Sequence, residues 1–305
     1  MIKVLLTGAS GQLGHSLIKT KPANIYLITP KREELDIINT KACFEKTLEI
    51  KPDWILNCAA YTSVDLAESN HEVCFKINRD APKYFAKALN ITGGNLMQIS
   101  TDYVFNGTQN YPYLTDQIKT PINIYGRSKA EGEDEIQKEM NNLENFYILR
   151  TSWLIGEKGV NFASKIINLL SKKDKIDVVS DQFSSPTTTL SLANVIWTFI
   201  LKDKFIKKYK PNRYPIYHWS DDGITSWYKL ALEIYSIGLK LGLIETNKII
   251  NPIKSSEYKT NAQRPSFSVL DCKSTQNLLN IERIPWQKSI HQTLIEKFEE
   301  KNRNI

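Results

Sequence analysis

Residues 2–14 read IKVLLTGASGQLG. Ile2 to Leu6 is a short apolar run, the pattern of a buried strand. Thr7 to Gly14 follows as a turn with glycines at Gly8, Gly11 and Gly14, and Gln12 to Lys19 suits a helix. Glycines between a strand and a helix keep Cβ atoms out of the path of a diphosphate. The helix start then offers unpaired N–H groups and a partial positive charge. The turn therefore predicts a bound dinucleotide.

Beyond the turn, strand-like and helix-like segments alternate. Asn24 to Thr29, Asp53 to Ala59, Leu96 to Ser100 and Phe146 to Thr151 read as strands. Thr40 to Ile50, Glu72 to Leu89 and Ser128 to Glu139 read as helices. Strands separated by helices predict a parallel sheet covered on both faces, with ligands at the carboxyl ends of its strands. The expected fold class is α/β, a doubly wound parallel-sheet Rossmann domain with a smaller, discontinuous α/β substrate lobe.

The Rossmann domain is expected over 1–155, with segments near 188–212 returning to it. The second lobe takes mainly 156–187 and 213–299, and 300–305 is a polar tail. In this half Asn161 to Leu170, Leu190 to Leu201, Thr225 to Leu241 and Ser289 to Glu299 read as helices. Lys248 to Arg264 reads as a polar loop.

The second strand ends Ile28-Thr29-Pro30-Lys31-Arg32. An acid at that tip would bind a ribose and repel a 2′-phosphate. None is present, and Lys31 and Arg32 follow, so NADPH is expected, with NADH as the alternative. The net charge of +7 comes from scattered lysines; it favours anionic ligands and does not point to nucleic acid. The four cysteines show no CxxC spacing and read as free thiols in a reducing compartment. No apolar run approaches a membrane span, and no signal peptide is expected where Met1 runs directly into a strand. The protein is expected in the cytoplasm, without a membrane or nucleic-acid partner.

Tyr125 and Lys129 form YxxxK in the stretch IYGRSKAEGE. Residues four apart share a helix face, so the ammonium is expected to draw the phenol down from its usual value near 10. Such a phenol can give a proton to a carbonyl oxygen. Upstream, a strand ends in Ser100-Thr101, which puts a hydroxyl at the ligand crevice. Glycine turn, hydroxyl and Tyr–Lys pair together predict nicotinamide-dependent carbonyl chemistry.

Several further stretches carry a resemblance: NCAAYTSVDLAE (57–68), STDYVFNG (100–107), YGRSKAEGE (125–133), LRTSWLIG (149–156), DQFSSPT (181–187) and QRPSFSVLD (263–271). With the glycine turn, and in this order over nearly the whole chain, they resemble the dTDP-4-dehydrorhamnose reductase family of extended short-chain dehydrogenase/reductases. The resemblance implies reduction of the 4-keto group of dTDP-4-dehydro-β-L-rhamnose to dTDP-L-rhamnose by NAD(P)H, a step of nucleotide-sugar biosynthesis. It implies Tyr125 as proton donor, Lys129 as its electrostatic partner and ribose contact, and Thr101 as the hydroxyl that orients the ketone. Gly8, Gly11, Gln12, Leu13, Gly14, Arg32, Asp36, Ile37, Ala60, Tyr61 and Thr62 are the remaining expected cofactor contacts. Val64, Thr101, Asp102, Trp153 and Arg264 are the expected contacts to the nucleotide sugar. For Trp153 the alternative is a core tryptophan.

Some relatives hold a magnesium ion with glutamates that bridge a dimer. Ser16 and Leu190 stand at those positions here, and neither supplies the carboxylates magnesium requires. No metal is expected, and the chain is expected as a monomer or homodimer. His15, His71, His218 and His291 lack metal-ligand spacing and read as structural. Asp65 and Glu68 read as acids at a helix start. Trp219, Trp227 and Tyr228 read as core of the second lobe. Two other functions compete: a nucleotide-sugar epimerase or dehydratase, and a non-catalytic regulatory subunit of a methionine adenosyltransferase.

Overall fold

The apolar run at the start forms strand β1 (Ile2–Thr7), and the glycine turn leads into helix α1 (Gln12–Lys19). The computed structural model describes residues 1–140, 145–209 and 215–303. The first half continues through β2 (Ile25–Ile28), α2 (Thr40–Ile50), β3 (Trp54–Asn57), α3 (Val64–Ala67), α4 (His71–Phe75) and α5 (Ala81–Thr92). It closes with β4 (Asn95–Thr101), α6 (Ile124–Glu139) and β5 (Phe146–Thr151).

The second half holds β6 (Leu154–Ile155), α7 (Phe162–Leu170), β7 (Lys175–Val179), β8 (Phe183–Ser184), β9 (Thr187–Thr188) and α8 (Thr189–Tyr209). It ends with β10 (Ile216–His218), β11 (Thr225–Ser226), α9 (Trp227–Lys240), β12 (Ile249–Ile253), α10 (Lys273–Leu279) and α11 (Trp286–Arg303).

Six strands form one sheet in the order β10-β5-β4-β3-β1-β2, and every pairing is parallel. Side chains alternate across it as the strand period requires. Leu5, Ile55, Leu96, Phe146 and Ile148 pack toward α2, α5 and α6. Val4, Leu6, Leu56, Met97 and Leu149 pack toward α1 and α8. This is the doubly wound architecture expected. The strand order reverses between β1 and β3, which opens a crevice at their carboxyl ends.

Several elements differ from the expectation. The helix drawn over Glu72 to Leu89 is broken by a π-helical turn at Lys76–Asp80. Pro82, at the start of α5, lacks the N–H that an unbroken helix would need there. The third strand stops at Asn57, and helix α6 begins at Ile124 rather than Ser128, so Tyr125 is already helical. Residues 216–218, assigned by sequence to the second lobe, are the sixth strand of the sheet, beside β5. Part of the polar stretch Lys248 to Arg264 is strand β12, paired in parallel with β7. Its apolar content is too short and too interrupted by Pro252 to signal a strand. The polar tail continues α11 through Arg303, while residues 304–305 and the boundary residues 210–214 lie outside the described residues.

The second lobe packs α7, α9 and α11 around Ile166, Leu170, Leu230, Ile234, Ile290 and Leu294. Trp227, at the start of α9, lines a cleft at the carboxyl edge of the sheet with residues that follow β1, β3 and β4.

Candidate active site

One cleft of about 1060 Å³ runs along that edge. Its floor at one end is the glycine turn. Gly8 has φ +70°, and a Cβ there would meet the backbone of Cys58 and Ala59 at 2.6–2.9 Å. A Cβ on Gly14 would collide with the Gly8 carbonyl and the Ala9 backbone. These two glycines serve the close packing of turn, helix and β3. Gly11 is the open one, with only the Gly8 carbonyl near, at 3.2 Å. Gly11 also caps α1 with no side-chain hydrogen bond, so the first N–H groups of that helix remain available to an anion.

Gly8, Gly11, Gln12, Leu13 and Gly14 all line this end of the cleft. The Gln12 side chain turns away toward the second lobe: its Oε1 accepts from the Gly156 N–H at 3.0 Å and from Asn161 Nδ2 at 2.8 Å. Thr29, Lys31, Arg32, Asp36 and Ile37 form the outer rim. Arg32, which is exposed, reaches the half-buried Asp36 at 3.4 Å. Ala60, Thr62 and Val64 line the cleft after β3. Tyr61 does not. Asn78, in the π-helical turn, clamps its peptide instead: the Tyr61 N–H donates to Asn78 Oδ1 at 2.9 Å, and Asn78 Nδ2 donates to the Tyr61 carbonyl at 3.0 Å.

The centre of the cleft is the carboxyl end of β4. Thr101, at 4% exposure, lines the cleft together with Tyr125, and its hydroxyl donates to Asp102 Oδ1 at 3.1 Å. Helix α6 presents Tyr125 in its first turn. Asn123 caps that helix by accepting from the Gly126 N–H at 2.7 Å, and Glu68 accepts from the Ile124 N–H at 2.9 Å. Gly126 lets the helix approach the Tyr103 carbonyl where a Cβ would collide. The Tyr103 and Tyr125 rings meet edge to face at 5.9 Å.

Lys129 is buried one turn further along. Its Nζ donates to the Ile99 carbonyl at 2.6 Å. Burial pulls this ammonium down to about 8, against the opposing charge of Glu133. Burial also pushes the Tyr125 phenol above its ordinary value, while the neighbouring Thr101 hydroxyl works the other way. The sequence reading had the lysine drawing the phenol down. It did not include the loss of water around both groups, which acts on each more strongly than their mutual spacing does. Asp102 is pushed up to about 7 by burial, opposed by hydrogen bonds from Ser268, Thr101 and Ser184.

Behind these groups lies a buried polar frame that the sequence reading did not single out. Glu133, one further turn along α6, receives Arg150 Nε at 2.9 Å and Nη2 at 2.7 Å, and the Ser100 hydroxyl at 2.6 Å. Burial alone would raise the Glu133 carboxyl; Arg150, Lys119 and Ser100 overcome it and hold it at about 2. Across the sheet, Thr7 donates to Asn57 at 2.6 Å, Asn57 to Gln98 at 2.7 Å, and Gln98 to the Ile99 carbonyl at 2.7 Å. The helical spacing 125, 129, 133 was the available signal for Glu133. Nothing local marks Asn57 and Gln98, because only strand register brings them together.

Trp153, Leu154, Trp227 and Arg264 also line the cleft. Trp227 is therefore more than lobe core. Arg264 is held by Asp65, with Nη2 to Oδ2 at 2.5 Å and Nη1 to Oδ1 at 3.2 Å. Asp65 also accepts from the Ala262 N–H at 3.1 Å. Asp65 lies in the first turn of α3, as its reading as a helix-start acid expected, and it also ties the late loop to that helix; Arg264 holds its carboxyl below the ordinary range. At the positions considered for magnesium, the buried Ser16 hydroxyl donates to Thr189 Oγ1 at 2.7 Å. Among the described residues no three His, Cys, Asp or Glu side chains gather as a metal site.

Comparison with known proteins gives a consistent answer. The family described as RmlD substrate binding domain matches residues 2–299. The dTDP-4-dehydrorhamnose reductase of Aggregatibacter actinomycetemcomitans is 35% identical over 292 residues, 95% of this chain and 97% of that one. A dTDP-4-dehydrorhamnose reductase structure from Clostridium acetobutylicum superposes with TM-score 0.86 at 34% identity, covering 96% of this chain and 98% of the other. One from Bacillus anthracis, solved in complex with NADP, gives 0.85 at 33% identity, covering 97% of this chain and 100% of the other.

Proposed function

Since this chain belongs to the RmlD substrate-binding-domain family, we propose that it reduces the 4-keto group of dTDP-4-dehydro-β-L-rhamnose to dTDP-L-rhamnose, using NADPH. The observation that carries the reading is the convergence of Thr101, Tyr125 and Lys129 in the cleft that begins at the glycine turn.

The residues present fit a dinucleotide. Gly11 leaves room beside uncapped helix N–H groups, and Lys31 and Arg32 stand at the rim where a 2′-phosphate would meet them. A nicotinamide held there would supply the hydride for carbon 4. Tyr125 gives its proton to the ketone oxygen, and Thr101 donates a hydrogen bond to the same oxygen. A phenol raised by burial is protonated at neutral pH, which suits reduction. Lys129 stabilises the phenolate left behind until solvent restores its proton. Asp102 and Val64 face the sugar, Trp153 offers it a flat apolar surface, and the Arg264 guanidinium meets the diphosphate.

We also read the protein as cytoplasmic, as a monomer or as a homodimer assembled without a metal bridge. The four free cysteines and the Ser16–Thr189 pairing support this. Incubation with NADPH and dTDP-4-dehydrorhamnose tests the activity. One NADPH consumed per dTDP-L-rhamnose formed is expected; sugar conversion without net NADPH consumption would identify an epimerase instead.

A further inference from the structure

Trp153 has φ 45°, in a backbone region that bulky side chains seldom enter. Such outliers persist only where the surroundings fix them. Here the Trp153 ring lies on Trp227, with centroids 3.5 Å apart and planes 12° from parallel. Phe162 packs on Trp227 in turn, at 4.5 Å and 47°. Both indoles line the cleft.

Trp227 is itself anchored through the DQFSSPT segment. Its Nε1 donates to Gln182 Oε1 at 3.2 Å, and Gln182 Nε2 donates to the Ser255 hydroxyl at 3.0 Å. Asp181 accepts from that same hydroxyl at 2.6 Å and from the Ser255 N–H at 2.9 Å. The neighbouring strands pair antiparallel, Thr225 with Ser184 and Ser226 with Phe183. That register fixes the start of α9, where Ser226 caps the helix by accepting from the Lys229 N–H at 3.3 Å. The segment that follows β7 thus sets the orientation of one indole, and that indole sets the other.

A single tryptophan on a loop can turn about its side-chain bonds. A stacked partner covers one face and leaves the opposite face, at a fixed height, for a ligand. We propose that Trp227, oriented by Gln182, is a positioning residue that holds Trp153 as a platform for the apolar face of the substrate's pyranose ring. The ring is thereby set with its carbonyl toward Tyr125 and Thr101. This inference rests on the nucleotide-sugar reductase reading.

The test compares wild-type enzyme with Trp227→Leu, Trp227→Phe and Gln182→Leu, all with NADPH and dTDP-4-dehydrorhamnose. Stacking of this kind is worth up to about tenfold in an equilibrium, so KM for the nucleotide sugar should rise by about that factor in Trp227→Leu. Gln182→Leu, which keeps both rings, should show a smaller rise, and Trp227→Phe should recover most of the loss. KM for NADPH should not change. The far-ultraviolet circular-dichroism couplet of two stacked indoles should vanish in Trp227→Leu and weaken in Gln182→Leu. If Trp227→Leu does not fold, Gln182→Leu decides. A lost or weakened couplet with unchanged KM for the nucleotide sugar overturns the proposal, as does an equal rise in KM for both substrates. If wild-type enzyme binds the nucleotide sugar without reducing it, the reductase reading fails. The platform is then judged by the Kd of dTDP-L-rhamnose in the same variants, an unchanged Kd overturning it.

Discussion

Lys129 donates its ammonium to the Ile99 carbonyl, 2.6 Å away, on the strand that also carries Thr101. This bond fastens the helix bearing the proton donor to the strand bearing the hydroxyl. The same carbonyl accepts from Gln98, so the polar ladder from Thr7 ends at the lysine.

Burial holds Lys129 at about 8, with Glu133 resisting the fall. Its charge is therefore present below that pH and lost as the pH rises through it. The kcat/KM for ketone reduction should decline on the alkaline side near pH 8, and Glu133→Gln should move that limb to lower pH. A pH–rate profile gives the answer, and a wild-type profile flat to pH 10 would remove Lys129 as a charged participant.

The Glu133–Arg150 pair has side-chain exposures of 0% and 1%. Removing one partner of such a pair leaves an unpaired buried charge and costs about 3–5 kcal/mol. Arg150→Met and Glu133→Leu should each lose about that much in denaturant unfolding, and the double variant less than their sum. The carboxyl is held at about 2 against an unfolded value of 4.5. A folded value below the unfolded one stabilises above pH 4.5, and that contribution disappears as pH falls toward 2. Arg150→Met should therefore flatten the acid limb of the stability profile.

The architecture was legible where periodicity was strong and local. The run from Ile2 to Leu6, the glycine turn and the helix Thr40–Ile50 were readable from spacing alone. Strand β10 was not, because three residues carry no period and their place beside β5 is a long-range pairing. The break at Lys76–Asp80 hid inside a continuous apolar stripe, with Pro82 as its only mark. At the site, Tyr125, Lys129 and Thr101 were visible as types at plausible spacing. Their electrostatics were not, since burial, which sets the Lys129 and Tyr125 values, exists only in the folded chain. Trp227 read as core because an aromatic near a helix start carries no sign of which face meets a cleft.

Arg32 stands at the cleft rim beside Asp36, at 3.4 Å. A charged hydrogen bond to a 2′-phosphate is worth about 1.5–3 kcal/mol. Arg32→Ala should raise KM for NADPH by tenfold or more and leave KM for NADH nearly unchanged. Steady-state kinetics with both cofactors measures this, and equal effects on the two would exclude a 2′-phosphate contact.

Arg264 is oriented by two hydrogen bonds from its guanidinium to Asp65. Arg264→Leu should weaken dTDP-sugar binding by about tenfold or more, as loss of a charge-assisted contact does. Asp65→Asn should give a smaller loss, since it loosens the arginine without removing it. Calorimetric titration with dTDP-L-rhamnose separates the two, and tight binding by Arg264→Leu would move the diphosphate elsewhere.

The most direct measurement of the central claim follows the transferred hydrogen. NADPH deuterated at its transferable position is incubated with dTDP-4-dehydrorhamnose and the enzyme, and the product is analysed by mass spectrometry and NMR. One deuterium at carbon 4 of dTDP-L-rhamnose is expected from the wild type, with turnover by Tyr125→Phe lower by at least about a hundredfold. Product without deuterium at carbon 4, or full turnover by Tyr125→Phe, would contradict reduction by a proton donor at Tyr125.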